Sequence, residues 1–228
     1  MRFFKNILDI IFPKVCCVCS HGLTENEEII CFHCRSELPK TNFSDALENE
    51  LVNRFYGKLK IDFGISYLYF LKSGITQKLL HQFKYNNYPE IGEMIGRWLG
   101  HELLKNNVND KIDIIIPVPL HLRKERKRGY NQSQYFAKGI SEITNIPTEF
   151  KTLKRIHYNE SQTHKSKEQR WKTVENAFQI VDKKTVKNKS VLLVDDVITT
   201  GATIEACGYQ ILNSGASGLG IASMALAK

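Results

Sequence analysis

Apolar residues along this chain of 228 fall into runs of two kinds. The first kind is unbroken and β-branched. Residues 191–194 (Val-Leu-Leu-Val) predict a strand buried on both faces of a parallel sheet. Residues 112–120 (Ile-Asp-Ile-Ile-Ile-Pro-Val-Pro-Leu) predict a second core strand, stopped by prolines that remove backbone donors and stiffen the following loop. Residues 65–70 and 219–226 read as two more strands, and 178–181 as a short one. The second kind has helical spacing, over 75–85, 91–104, 133–143 and 204–212. In the 91–104 stretch Gly92, Gly96 and Gly100 recur on one face, which predicts close packing of that helix on the sheet.

The most informative polar positions follow the 191–194 run. Asp195 and Asp196 come first, then Val197 and Ile198, then Thr199-Thr-Gly-Ala-Thr203 ahead of a helical pattern. A strand feeding a small-residue turn and a helix N-terminus gathers unpaired N–H groups and partial positive charge, which suits a phosphate. Gly201 allows close backbone approach, and Thr199, Thr200 and Thr203 add hydroxyl donors. Ionised carboxylates only accept hydrogen bonds, so the two aspartates suit sugar hydroxyls or hydrated Mg²⁺. Phosphate at one end and hydroxyls at the other describe a phosphorylated ribose.

Charge and cysteine content alter the picture at both ends. The formal net charge is +8, favouring anionic partners. Arg123, Lys124, Arg126, Lys127 and Arg128 fall within six positions beyond the 112–120 strand, at what would be the mouth of the phosphate site. Residues 151–177 are polar and basic, with Arg155, Gln162, His164, Lys165, Lys167, Arg170 and Lys172, and read as a lid over that site. Five of six cysteines lie between positions 16 and 34. Cys16 and Cys19 form one CxxC knuckle, Cys31 and Cys34 another, and four thiolates complete a closed, structural zinc site. Cys17 leaves an ambiguity, with His21 and His33 ranking lower. The division expected is a zinc-ribbon module over 1–40, a connector over 41–60 and an α/β domain over 61–228. No stretch has the length of a membrane span. Residues 1–12 are apolar, but Asp9 interrupts them and no cleavage site follows, so an amphipathic lead-in of a cytoplasmic protein is expected.

The block from Asp195 to Thr203 resembles the motif by which type I phosphoribosyltransferases bind phosphoribosyl pyrophosphate (PRPP). With the paired knuckles, Phe83-Lys-Tyr85, Pro117-Val-Pro-Leu120 and Arg128-Gly-Tyr-Asn-Gln132, nearly the whole chain resembles the ComF/GntX family. The resemblance implies a type I phosphoribosyltransferase fold, a central mostly parallel sheet flanked by helices, behind a small N-terminal zinc ribbon. It implies that Asp195 and Asp196 hold the ribose 2′- and 3′-hydroxyls, with Mg²⁺ accompanying PRPP, and that the loop of Val197, Thr199, Thr200, Gly201, Ala202 and Thr203 holds the 5′-phosphate. Val118, Pro119 and Leu120, with Arg128 and Lys84, then receive the departing pyrophosphate. Some members are tied to natural competence, so transforming DNA and competence-machinery proteins enter as candidate partners. The extra Cys17, and Tyr130 where many relatives carry Phe, depart mildly from the family pattern.

Two functions therefore stand side by side. One is transfer of phosphoribose from PRPP to an acceptor the sequence does not identify. The other is a non-catalytic module, regulated by PRPP, that holds single-stranded DNA through Arg123, Lys124, Arg126 and Lys127 with Tyr130 and Trp171 as stacking surfaces. A third reading makes Asp195 and Asp196 the metal site of another phosphotransfer fold.

Overall fold

A computed structural model of the chain describes residues 14–156 and 177–228. Four parallel strands form the main sheet: β1 (Phe63–Phe70), β2 (Ile114–Pro117), β5 (Ser190–Ile198) and β6 (Gly218–Ala227), in the order β1-β6-β5-β2. β2 and β5 are neighbours, with Ile114 opposite Val191 and Pro117 opposite Val194. Their carboxyl ends, and the loops beyond them, therefore lie side by side. That edge of an open parallel sheet is where ligands bind.

Alternate residues of β2 and β5 enter separate cores on the two faces, which is why these two strands read as continuous apolar runs. Ile115, Leu192, Val194, Ala222 and Met224 belong to one core. It includes residues of helices α3 (Ile75–Tyr85), α4 (Glu90–Lys105) and α6 (Gln132–Thr144). Ile114, Ile116, Val191, Leu193 and Ile221 belong to the other, with residues of α2 (Glu50–Phe55) and α7 (Ala202–Asn213). That second core also takes in a two-stranded antiparallel ribbon, β3 (Leu153–Arg155) with β4 (Phe178–Ile180).

Three features differ from the sequence reading. The glycine face of α4 packs on helix α6 rather than on the sheet. A Cβ on Gly96 would stand 2.3 Å from Phe136 O, and one on Gly139 only 2.1 Å from Glu93 O. The basic run folds as helix α5 (Leu122–Arg128), with His121 accepting from the Arg123 N–H at its start and Gly129 at φ 84° closing it. The strand carrying the acidic pair also continues past it to Ile198, pairing Val197 with Ala225 and Ile198 with Leu226. The lid read over 151–177 falls largely outside the described residues, as does Trp171; its described ends form the β3–β4 ribbon.

The N-terminal segment joins the sheet at its β1 edge. Tyr69 N–H donates to Pro39 O (2.7 Å), Thr41 N–H to Tyr67 O (3.1 Å) and Gly64 N–H to Ala46 O (2.8 Å). Upstream, helix α1 (Phe32–Ser36) carries Cys34, and Arg35 lies 4.9 Å above the Trp98 ring of α4. Cys16, Cys17, Cys31 and Cys34 share a core with Phe63 and Ile65 of β1. Among the described residues no helix is long and apolar enough to cross a membrane.

Candidate functional site

Four segments converge at the carboxyl ends of β2 and β5. The Asp195 Oδ1 accepts from the Ser133 hydroxyl on the first turn of α6 (3.0 Å). The Asp196 Oδ2 pairs with Lys84 Nζ at 2.7 Å, bringing the last turn of α3 to the acidic pair. Asn131, the N-cap of α6, donates from Nδ2 to Val118 O (3.0 Å) and so fixes the turn after β2. Arg128 donates from Nη1 to Gln132 Oε1 (2.9 Å) and lies 5.5 Å above the Tyr85 ring. Gln132 is buried, and its Nε2 has no partner among the described residues. Lys84, Val118, Arg128, Asp195 and Asp196 are thus gathered around one sheet edge.

The acidic pair is electrostatically tense. Burial, reinforced by the charge of Asp196, pushes Asp195 up to about 7 against the pull of the Asp196 N–H, Ser133 and Lys84. Beyond Lys84, cations crowd one another. Lys124 is held below the usual lysine range by burial first, then by Arg155, Arg128 and Lys84. His121 is lowered by burial and by Arg155, Arg123 and Lys124. Like charges held this close favour a polyanion that relieves their repulsion. Arg155, on β3, thereby belongs with the basic cluster on α5, although the sequence reading left it in the lid.

The 199–203 loop crosses from β5 into α7. Gly201, at φ 86°, is the N-cap of that helix with no side-chain cap bond. Ala202 N–H donates to Thr200 Oγ1 (3.4 Å), whereas the N–H groups of Thr200, Gly201 and Thr203 have no acceptor among the described residues. Unpaired donors at a helix N-terminus can bind an anion.

Tyr130 stands differently from its expected role as a base-stacking surface. It is 7% exposed, and its hydroxyl donates to Phe83 O, so it ties α3 to the start of α6 instead. The exposed ring at this rim is Tyr85, at 58%. Tyr85 and Asn131 belong to the Phe83–Tyr85 and Arg128–Gln132 motifs that carry the family resemblance, which assigned them no role; Ser133 was not singled out from sequence. The signal for Ser133 was its place directly after the Arg128–Gln132 motif.

At the other end of the molecule the ligand atoms of Cys16, Cys19, Cys31 and Cys34 all lie within 4.8 Å of one another. The Cys19 and Cys31 sulfurs are 3.7 Å apart. Four thiolates at the usual Zn–S distance would have sulfurs about 3.8 Å apart, so the set fits a tetrahedral metal. Burial pushes the Cys16 thiol up, but N–H groups of Cys31, Cys19 and Val18 outweigh it and leave the group at about 7. Cys17 lies outside the cluster, pushed up to about 12 by burial and by Cys16.

A family model described as "Phosphoribosyl transferase domain" matches residues 84–227. "DNA utilization protein YhgH" of Salmonella typhi is 30% identical over 142 residues, 61% of this chain and 62% of that protein. "Competence protein F" of Haemophilus influenzae is 34% identical over 130 residues, 55% of this chain and 57% of that protein. The chain thus spans less than two thirds of the length of these relatives. Among solved structures, a glutamine PRPP amidotransferase from B. subtilis superposes with a TM-score of 0.45 at 21% identity, over 63% of this chain and 30% of that one.

Proposed function

The chain belongs to the phosphoribosyl transferase domain family, and on that premise we propose that it binds PRPP with Mg²⁺ and transfers phosphoribose to an acceptor. The observation that carries this reading is the juxtaposition of an acidic pair, a loop of unpaired N–H donors and a basic cluster at one sheet edge. Asp195 and Asp196 accept from the ribose 2′- and 3′-hydroxyls, and Ser133 steadies Asp195. The N–H groups and hydroxyls from Thr199 to Thr203 take the 5′-phosphate, with Val197 and Ala202 shaping the loop. The pyrophosphate lies over Val118, Pro119 and Leu120, where Arg128 and Lys84 supply positive charge. The carboxylate pair suits a hard cation, and Mg²⁺ bound with PRPP supplies charge neutralisation at the leaving group.

When the bond from C1 of ribose to pyrophosphate oxygen breaks, positive charge grows at C1. Asp195 and Asp196, fixed before the reaction begins, stabilise that charge electrostatically. Lys84 pairs with Asp196 in the free protein, and release to the phosphates lets that carboxylate turn to the sugar. The acceptor's lone pair forms the new bond to C1 as pyrophosphate leaves with the C1–O electron pair, and the acceptor's proton passes to solvent. We further propose that the cysteine cluster holds one structural Zn²⁺, and that the chain acts in DNA utilisation or competence, as the names of its relatives suggest.

Titration calorimetry with PRPP and Mg²⁺ tests the central reading. Binding by the wild type, lost in Asp195→Ala/Asp196→Ala, is the expected result. No binding, or equal binding by the double variant, contradicts it.

A further inference from the structure

Helix α2 lies outside the residues matched by the family model, yet two of its side chains hold the 199–203 loop from behind. Arg54 donates from Nη1 to the carbonyls of Thr199 and Ile198, the latter at 3.5 Å, and from Nη2 to Ala227 O at 2.7 Å. Its neighbour Phe55 is 1% exposed and packs beneath Gly201, where an added Cβ would stand 2.8 Å from the ring. The helix is itself firmly seated. Asn49 caps it by accepting from the Leu51 and Val52 N–H groups and donates to Gly64 O of β1 at 2.8 Å.

Peptide geometry gives this contact a consequence. In a planar trans peptide the C=O and N–H point in opposite directions. Drawing the Ile198 and Thr199 carbonyls toward the guanidinium turns the N–H groups of Thr199 and Thr200 to the other side of the loop. Without that grip the same peptides are free to rotate and present carbonyl oxygens, which repel a phosphate. A guanidinium suits the task because its rigid fork satisfies several acceptors at once, and because it stays charged.

We propose that Arg54 is a positioning residue for the phosphate loop, fixing its peptides so that their N–H groups converge on a 5′-phosphate. The proposal rests on the reading of 199–203 as the phosphate site. It makes the segment between the cysteine cluster and the sheet part of the binding machinery.

The test titrates full-length wild type, Arg54→Ala and Arg54→Lys with ribose 5-phosphate and, separately, with inorganic pyrophosphate, both with Mg²⁺. Amide hydrogen exchange of the ligand-free proteins accompanies it. Arg54→Ala is expected to weaken ribose 5-phosphate by about tenfold or more, the scale of lost charge-assisted hydrogen bonds. Pyrophosphate affinity should stay within about twofold of wild type on the same scale, and exchange should quicken in the 198–203 segment alone. Arg54→Lys should recover part of the loss, since an ammonium reaches one carbonyl but not the whole set. Equal ribose 5-phosphate affinity in wild type and Arg54→Ala overturns the proposal. So does loss of both ligands with faster exchange throughout the chain, which marks a purely structural role. If the wild type binds pyrophosphate but not ribose 5-phosphate, the phosphate reading of the loop itself falls, and Arg54 is not to blame.

Discussion

Asp195 combines two demands that pull against each other. Burial and the adjacent Asp196 raise it to about 7, so the folded protein keeps a proton that the unfolded chain gives up near the ordinary carboxylate value of about 4. The stability this contributes is complete below about pH 4 and is lost as pH rises through 7. Ligand binding has the opposite sign, because sugar hydroxyls and Mg²⁺ require the ionised form. PRPP affinity should therefore strengthen by up to about tenfold between pH 6 and pH 8, as one titrating site allows. Asp195→Asn should flatten that dependence, weaken binding, and raise the melting temperature at pH 8 by about 2–4 °C, the scale of 1 kcal/mol in a chain of this size. Calorimetric titrations and thermal melts at both pH values check all three. The acidic pair was legible because two carboxylates beside a Thr/Gly turn are chemically distinctive. Its partners Ser133 and Lys84 are 62 and 112 residues away from the aspartates they meet, a juxtaposition only the sheet order creates.

Elements were legible where they carry an apolar stripe or run. α3, α4, α6 and α7 follow the helical spacing closely, and β2 and β5 the β-branched runs. Helix α5 lacks a stripe, its one large apolar residue being Leu122 at 64% exposure. It forms because Arg, Lys and Glu favour helix and because Gly129 closes it in the left-handed region. The glycines of α4 were legible as a close contact but not as a contact with α6, since Gly139 gives no sign of its partner in local sequence. That contact matters to the site, because α6 begins at Asn131 and Ser133. Gly139→Ala, which puts a Cβ 2.1 Å from Glu93 O, should force the helices apart and cost about 2–3 kcal/mol, read by chemical denaturation. PRPP affinity should fall with it as Ser133 shifts from Asp195. A variant of wild-type stability would show that the two helices are not held this close.

At the scale of the whole molecule, the cysteine cluster and the sheet share one core. The two knuckles were legible from spacing alone, and the structure separates Cys17 from the other four. Their attachment to the sheet was not legible, because it rests on backbone pairing of residues 39–46 with the β1 edge, to which side-chain pattern is blind. One Zn²⁺ per chain is expected by elemental analysis, retained in Cys17→Ser and lost in Cys16→Ser. Stripping the metal with a chelator should lower the melting temperature by about 5–10 °C, corresponding to roughly 2–3 kcal/mol. An unchanged melt would mean that packing against Phe63, Ile65 and Trp98 holds the segment without metal.

These scales meet in one claim, that a phosphorylated ribose sits between the twin aspartates of β5 and the first turn of α7. A crystal structure of the protein grown with PRPP and Mg²⁺ addresses it most directly. The account predicts the 5′-phosphate on the N–H groups of the 199–203 loop, the ribose hydroxyls on Asp195 and Asp196, and Lys84 turned from Asp196 toward the pyrophosphate. Ligand density elsewhere, with the Lys84–Asp196 pair intact and the loop empty, would contradict it.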